Sequence, residues 1–265
     1  MTKGWLIGQG RDSEVFTWGD DQVLKLFRDH GYARRAEQEA DNTRMAREAG
    51  LPVPDVEGVV EFGGRSGVVY ERIEGPSMSE QLMSKPWAFI QLARVLAELH
   101  VAMHTCLVSG LPSQRQQLQR KIWAAELSED AKEMVLEALS KLPDGNVLCH
   151  FDFQPKNVLM SSHGAIIVDW VDATRGNPFA DVARTSLLVR LGARQHVGLG
   201  LWLGETARAL FHSIYLRRYL QLRPALREQI SAWQLPVAAA RLSGKSICSR
   251  EKGQLLSLIE ASLPR

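Results

Sequence analysis

Cysteine is scarce: Cys106, Cys149 and Cys248 are the only three in 265 residues. Their wide, unrelated spacings exclude both a disulfide framework and a C-x-x-C metal or redox site. Long apolar runs are missing too. No stretch approaches the roughly 18 uninterrupted apolar residues that a membrane helix needs, and the opening MTKGWLIGQG lacks the apolar segment of a secretory signal. A cytoplasmic protein with no membrane partner is expected. A strong net charge is also absent, since 32 Lys/Arg against 30 Asp/Glu leave +2. The distribution is lopsided, however: residues 190–265 hold twelve Lys/Arg and four Asp/Glu, a net +8, which leaves −6 for residues 1–189. These cations stand singly in apolar-periodic sequence, without the dense basic run or interleaved aromatics of a nucleic-acid surface. No nucleic-acid partner is expected, and the charges read as solvated helix faces or as contacts to an anionic ligand.

What is present is an ordinary globular composition, 45% hydrophobic and 23% charged, in a chain long enough for a sizeable core. The first 75 residues are rich in short β signals. SEVFTW and DQVLKLF flank the turn-former GDD, and VEGVVEF and SGVVYERI flank GGR. One helix interrupts them, from about Tyr32 to Glu48, and Gly and Pro in AGLPVP stop it. From GPSMSE onward the periodicity is helical, apart from a β island at 147–169. An α+β chain of two lobes follows, with a β-rich lobe at 1–75 and a larger, mainly helical lobe at 76–265.

The β island carries the chemistry. NVLM and AIIVDW are apolar runs separated by SSHG, which reads as a hairpin with a four-residue loop. With the turn centred between Ser162 and His163, paired positions sum to about 325, so the open end brings Asn157 beside Asp169. One amide and one carboxylate are oxygen ligands that suit Mg²⁺, which takes its remaining ligands from water and substrate phosphates. Asp152 precedes Asn157 by five residues, the D-x-x-x-x-N spacing of a kinase catalytic loop.

A phosphoryl-transfer site also needs a phosphate cover and a cation. IGQGRDSEVF supplies Gly8, Gly10 and Ser13 in a G-x-G-x-x-S-x-V pattern, with Ser13 in place of a third glycine. Lys25 lies within the strand-like VLKLF. In the following helix Tyr32, Ala36, Glu39, Thr43 and Ala46 recur at spacings of four and three, so Glu39 falls on the apolar stripe and Glu37 off it. An inward carboxylate is costly unless paired. Lys25 is the obvious partner, and such a pair positions the lysine for the α/β-phosphates.

Taken together, the glycine-rich turn, VLKLF, EQEADNTRMAREAGLPVP, YERIEG, LAELH, HFDFQPKNVL, IIVDW and GNPFADVA resemble the aminoglycoside phosphotransferase/choline kinase family, in the expected order over most of the chain. The resemblance implies a two-lobed protein-kinase-like fold that transfers the γ-phosphoryl of ATP, or GTP, to a small-molecule hydroxyl. It makes Asp152 the catalytic base, Asn157 and Asp169 the Mg²⁺ ligands, and Lys25 with Glu39 the phosphate-positioning pair. Adenine would meet the backbone at Glu71 and Ile73, and Asp181 would prop the catalytic loop. Departures from protein kinases favour a small acceptor: Phe151 replaces the arginine of H-R-D, DW replaces D-F-G, and only eleven residues separate Asp169 from Asp181. A peptide-docking segment has no room.

Other features read as structural. His100 and His104 lie one helical turn apart without a further ligand at metal spacing, and His150 reads as a residue that orients the loop. SGKS at 243–246 lacks the Walker glycine, since Ala239 stands there, and no strand precedes it. The rival to a kinase is a catalytically silent nucleotide-binding regulator on the same fold. The +8 segment is expected to supply much of the acceptor pocket, so a neutral, zwitterionic or anionic acceptor is expected. Kanamycin-like polycations should then be phosphorylated with kcat/KM below about 10⁴ M⁻¹s⁻¹ in an ADP-release assay; a higher value overturns that expectation.

Overall fold

The computed structural model describes residues 3–28, 33–191, 204–244 and 247–262. In chain order the elements are β1 (Lys3–Gln9), β2 (Ser13–Trp18), β3 (Gln22–Phe27), α1 (Ala33–Glu48), β4 (Val56–Phe62), β5 (Arg65–Glu71), α2 (Met78–Ser84), α3 (Phe89–Thr105), α4 (Gln114–Trp123) and α5 (Glu129–Ser140). There follow β6 (Val147–Cys149), β7 (Val158–Ser161), β8 (Gly164–Ile167), β9 (Thr174–Gly176), α6 (Pro178–Leu191), α7 (Glu205–Leu222), α8 (Arg227–Ser231), α9 (Gln234–Arg241) and α10 (Ser249–Ser262). The expected β-rich beginning and mainly helical remainder are both present.

The chain forms two compact units, Met1–Gln81 with Pro155–Asp172, and Leu82–Gln154 with Ala173–Arg265. The first unit thus takes in residues 155–172 besides the N-terminal segment. The β7–β8 hairpin joins the first unit because its backbone is bonded there: the Met160 N–H donates to Pro76 O and the Ile167 N–H to Pro52 O.

In the first unit five antiparallel strands lie in the order β1-β2-β3-β5-β4. Strand alternation decides which side chains meet the helix. Phe16, Trp18, Leu24, Leu26 and Val69 form one apolar cluster, whereas Phe27, Val68 and Tyr70 pack with Ala36 and Ala40 of α1 in another. Lys25 alternates with Leu24 and Leu26, so it shares the α1 side with Phe27. Phe62 pairs with Arg65 across Gly63 and Gly64, whose φ values of 60° and 72° suit a two-residue type I′ turn. The β7–β8 hairpin is tighter than the SSHG reading: Ser161 pairs with Gly164, leaving a two-residue turn. Tyr32, the first residue of the expected helical stripe, and Lys245 and Ser246 of SGKS lie outside the described residues.

In the second unit α3 packs along α7, and α6 is buried around most of its circumference, from Pro178 to Leu188. β6 pairs with β9, setting Cys149 opposite Thr174. The chain leaves β6 directly into His150. Among the described residues no helix is long and apolar enough to cross a membrane.

Gly75 is where residues 75–76 run against β7. Its φ is 142°, and a Cβ there would stand 2.2 Å from Met160 O. Gly75→Ala is expected to destabilise the protein by at least about 1–3 kcal/mol, the usual cost of a strained backbone alone, read as a lower urea midpoint with unchanged slope.

Candidate active site

The hairpin register does what the 325 sum requires: Val158 pairs with Ile167 and Leu159 with Ile166. One step beyond the ladder, the Val168 N–H donates to Asn157 O at 3.0 Å. Asn157 ends a 3₁₀ turn, Pro155–Asn157, with its side chain buried. Asp169 follows Val168 with φ 72°, a left-handed conformation that a non-glycine residue adopts only under constraint. The constraint is visible on both sides. Val168 is tied to Asn157, and Trp170, fully buried, has its carbonyl held by Asn42 Nδ2 at 2.8 Å. Strain of this kind persists where the surroundings over-determine it, and it clusters at functional sites.

Asp169 meets Lys25. The Lys25 Nζ donates to Asp169 Oδ1 at 2.6 Å and to Glu39 Oε1 at 2.6 Å. Glu39 is 1% exposed and Lys25 13%, whereas Asp169 remains 39% exposed. Burial works against the lysine charge, yet the two carboxylates outweigh it and hold the ammonium above its ordinary range. For Glu39 burial dominates and pushes the carboxyl up despite Lys25. Thr43, one turn further along α1, donates its hydroxyl to the Glu39 backbone carbonyl at 2.8 Å. Glu37, the alternative, is exposed.

The glycine-rich segment is the β1–β2 hairpin. Gly8 pairs with Val15, Gln9 pairs with Glu14, and the Gly10 N–H donates to Ser13 O at 2.8 Å. Ser13 is buried opposite Phe27. Lys25 lies between Val15 and Val68 in the same sheet. Glu71 ends β5, and its N–H donates to Asp55 O; Ile73, two residues on, is in irregular, partly exposed chain.

Asp152 belongs to the second unit. Its N–H donates to His150 Nδ1 at 3.2 Å, and Gln154 Nε2 donates to its carboxylate at 3.0 Å. The loop around it hangs on one face of α6. Asp181 accepts the His150 N–H at 2.7 Å and the Phe151 N–H at 2.9 Å. Arg184 Nε donates to Phe151 O and the Thr185 hydroxyl to Phe153 O, at 3.2 and 2.9 Å. Phe151 takes φ 63°; it and Asp169 are the two non-glycine residues of positive φ among those described.

The sequence matches the family described as "Phosphotransferase enzyme family" (APH) over residues 6–233. The chain belongs to that family. This phosphotransferase also shares its fold with solved relatives of low identity. Aminoglycoside phosphotransferase APH(4)-Ia superposes with a TM-score of 0.69 at 16% identity, covering 98% of this chain and 94% of the other. Amicoumacin kinase hAmiN, solved with AMP-PNP, Ca²⁺ and Ami, gives 0.64 at 14% identity, covering 97% and 86%. ADP-bound APH(2'')-Ib gives 0.62 at 16% identity, covering 96% and 91%. A comparison with curated proteins gives no match.

Asn42, Arg184 and Thr185 hold the phosphotransferase's two loops and were not singled out from the sequence. The signal for the last two was available: Asp181, Arg184 and Thr185 stand at i, i+3 and i+4 of one helix and therefore share a face. Asn42 carried the same signal, standing at i+3 from Glu39 beside the inward stripe of α1.

Removing one partner of a buried pair leaves an uncompensated charge. Lys25→Met is expected to cost about 3 kcal/mol at neutral pH, and a Lys25→Met/Glu39→Leu double variant much less. In Lys25→Met, Glu39 keeps a folded pKa above its unfolded value, so the native state binds the extra proton. The loss should therefore shrink as pH falls through that folded pKa. Urea melts at pH 8 and pH 5 check this; an equal loss at both pH values is the contrary result.

Proposed function

We infer that this phosphotransferase moves the γ-phosphoryl of ATP, or of GTP, to a hydroxyl of a small molecule. The observation that carries the reading is the Lys25 ammonium held at 2.6 Å by both Glu39 and Asp169, in the unit that contains the glycine-rich hairpin. Lys25 then neutralises the α/β-phosphates, with Glu39 fixing its direction. Gly8, Gly10 and Ser13 cover the phosphates from the β1–β2 turn. The backbone at Glu71 and Ile73 takes the adenine. The ADP and AMP-PNP in the similar structures support a nucleotide donor. Hygromycin B in an APH(4)-Ia complex and Ami in the amicoumacin kinase complex support a small-molecule acceptor.

Asn157 and Asp169 would hold Mg²⁺: they flank the Val168 N–H to Asn157 O bond at the open end of the hairpin, and an amide and a carboxylate are oxygen ligands of the kind that cation takes. When bound there, the ion would supply charge that offsets what develops on the phosphates during transfer. Asp152 orients the acceptor hydroxyl and accepts its proton, with Gln154 fixing the carboxylate. Residues 1–75 serve the nucleotide, and residues 76–265 carry the catalytic and acceptor-binding groups. The eleven residues between Asp169 and Asp181 leave no peptide-docking segment, which favours a small metabolite or antibiotic in the cytoplasm as acceptor.

Two aspartates should fail differently. Saturating Mg²⁺·ATP should stabilise wild type by about 2.7 kcal/mol at one hundred times its dissociation constant. Asp169→Ala should lose that stabilisation and turnover together. Asp152→Ala should keep nucleotide affinity within a few-fold while kcat falls by about 10²–10⁴. Thermal shift and turnover against a panel of hydroxylated metabolites and antibiotics measure both. A folded wild type that gains nothing from millimolar Mg²⁺·ATP, or an Asp152→Ala variant with wild-type turnover, counts against the assignment.

A further inference from the structure

Behind Asp181 lies a buried polar cluster that the mechanism does not use. His100 and His104 stand one turn apart on α3, and Tyr215 and Tyr219 one turn apart on α7; all four are at most 1% exposed. The rings pair in register: His100 Nδ1 is 2.7 Å from the Tyr215 hydroxyl and His104 Nδ1 is 2.8 Å from that of Tyr219. Both Nε2 atoms face a single oxygen, Asp181 Oδ2, at 3.3 and 3.4 Å. That carboxylate holds the His150 and Phe151 amides, immediately before Asp152. We propose that His104 and Tyr219 are positioning residues for the catalytic loop: the Tyr219 hydroxyl sets the His104 ring, the ring sets Asp181, and Asp181 sets the backbone that aims Asp152.

The chemistry of each link fixes a direction. Burial alone would raise the Asp181 carboxyl, but the two imidazoles that face it outweigh burial and hold the group ionised. An ionised carboxylate only accepts. Burial and the neighbouring His100 press His104 down to about 3, so its ring is neutral and carries one proton. Facing a carboxylate, that proton belongs on Nε2, which leaves Nδ1 as an acceptor that needs a donor. Tyr219 supplies it, because burial pushes the phenol up and keeps its O–H. Without the hydroxyl, Nδ1 is a buried acceptor with no donor. The carboxylate still keeps the proton on Nε2, but the ring has lost the contact on its other nitrogen that fixes its orientation, so its Nε2–H wanders from Asp181.

The same three groups lie within 4.8 Å of one another, a spacing that could hold a metal ion. Both Asp181 oxygens are already committed to loop amides, however, and both Nδ1 atoms to phenol hydroxyls. One zinc per chain in metal analysis of the purified protein would overturn the proposal. Three readouts test it directly. In ¹⁵N-imidazole spectra His104 should show the Nε2–H form at neutral pH in wild type and Tyr219→Phe alike, with the Nδ1 resonance moving toward that of an unbonded imidazole nitrogen in Tyr219→Phe and staying put in Val135→Ala. Amide exchange at Phe151 should quicken about tenfold in Tyr219→Phe, the weight of one buried hydrogen bond. Val135→Ala, a core truncation in α5, controls for simple destabilisation and should leave that amide protected. ADP release from Mg²⁺·ATP, with water as the acceptor, should fall in kcat and not in KM. His104→Gln, whose amide nitrogen can occupy the Nε2 position, should recover more of the rate than His104→Leu.

The rate arm rests on the role proposed for Asp152; the spectra and the exchange do not. If Tyr219→Phe and Val135→Ala show the same Phe151 protection, or if the loop loosens at an unchanged rate, the positioning role is wrong. Failure of the phosphotransfer reading would appear separately, as a wild type that neither binds nor turns over Mg²⁺·ATP. The groups facing His104 are His100, Asp181, Tyr219 and Arg223. Below its ordinary pKa of 6.5 the unfolded chain takes up a proton that native His104 refuses until about pH 3. Stability should fall across that window as pH drops, and less steeply in His104→Gln.

Discussion

One ammonium group between two carboxylates organises the first unit. Lys25 sits where strand alternation turns it toward α1, in surroundings of Phe27, Val68, Ala36 and Ala40 that would reject a lone charge. Glu39 makes it tolerable from one side and Asp169 from the other. The two carboxylates differ in what is left over. Glu39 is buried and serves the lysine, whereas Asp169 is part exposed and keeps access to solvent or a ligand. A lysine so held is a fixed charge rather than a flexible one, and this preorganisation is what phosphoryl transfer requires of the protein.

The backbone departs from ordinary conformations at the loops that carry the two aspartates. Phe151 and Asp169 both have positive φ, each next to or within a proposed functional position. In each case bonds to neighbouring residues hold the strain. Asn42 and Asn157 secure the segment around Asp169. Asp181, Arg184 and Thr185 secure the one around Asp152. The second support extends one layer deeper, through two imidazoles to two phenols, all without exposure to water.

Several features were legible because they follow from local periodicity. The strand pattern of residues 13–27 and 56–71 emerged as read, since alternating β-branched and aromatic residues flanked by glycine turns admit few other conformations. The pairing sum of the hairpin emerged for the same reason, although the turn proved two residues shorter. Glu39 rather than Glu37 was readable because 3.6-residue geometry permits only one of them to face inward. His100 and His104 read as core residues, and they are buried. The phenols that partner them sit 115 residues further along the chain, beyond the reach of any local pattern.

From sequence alone came the order of motifs, the family they resemble, the four strands of residues 13–71 with the β7–β8 hairpin, and the inward face of α1. These depend on contacts a few residues apart, whose spacing the chain itself records. Tertiary structure decided the rest. It joined the β7–β8 hairpin to the N-terminal sheet unit, because Pro52 and Pro76 carbonyls accept its amides. It gave Lys25 a second carboxylate 144 residues away, and it set two histidines on one oxygen of Asp181. Such pairings are selected by the cost of burying an unmatched charge or hydrogen-bonding group, and that cost exists only once the folded chain has excluded the water.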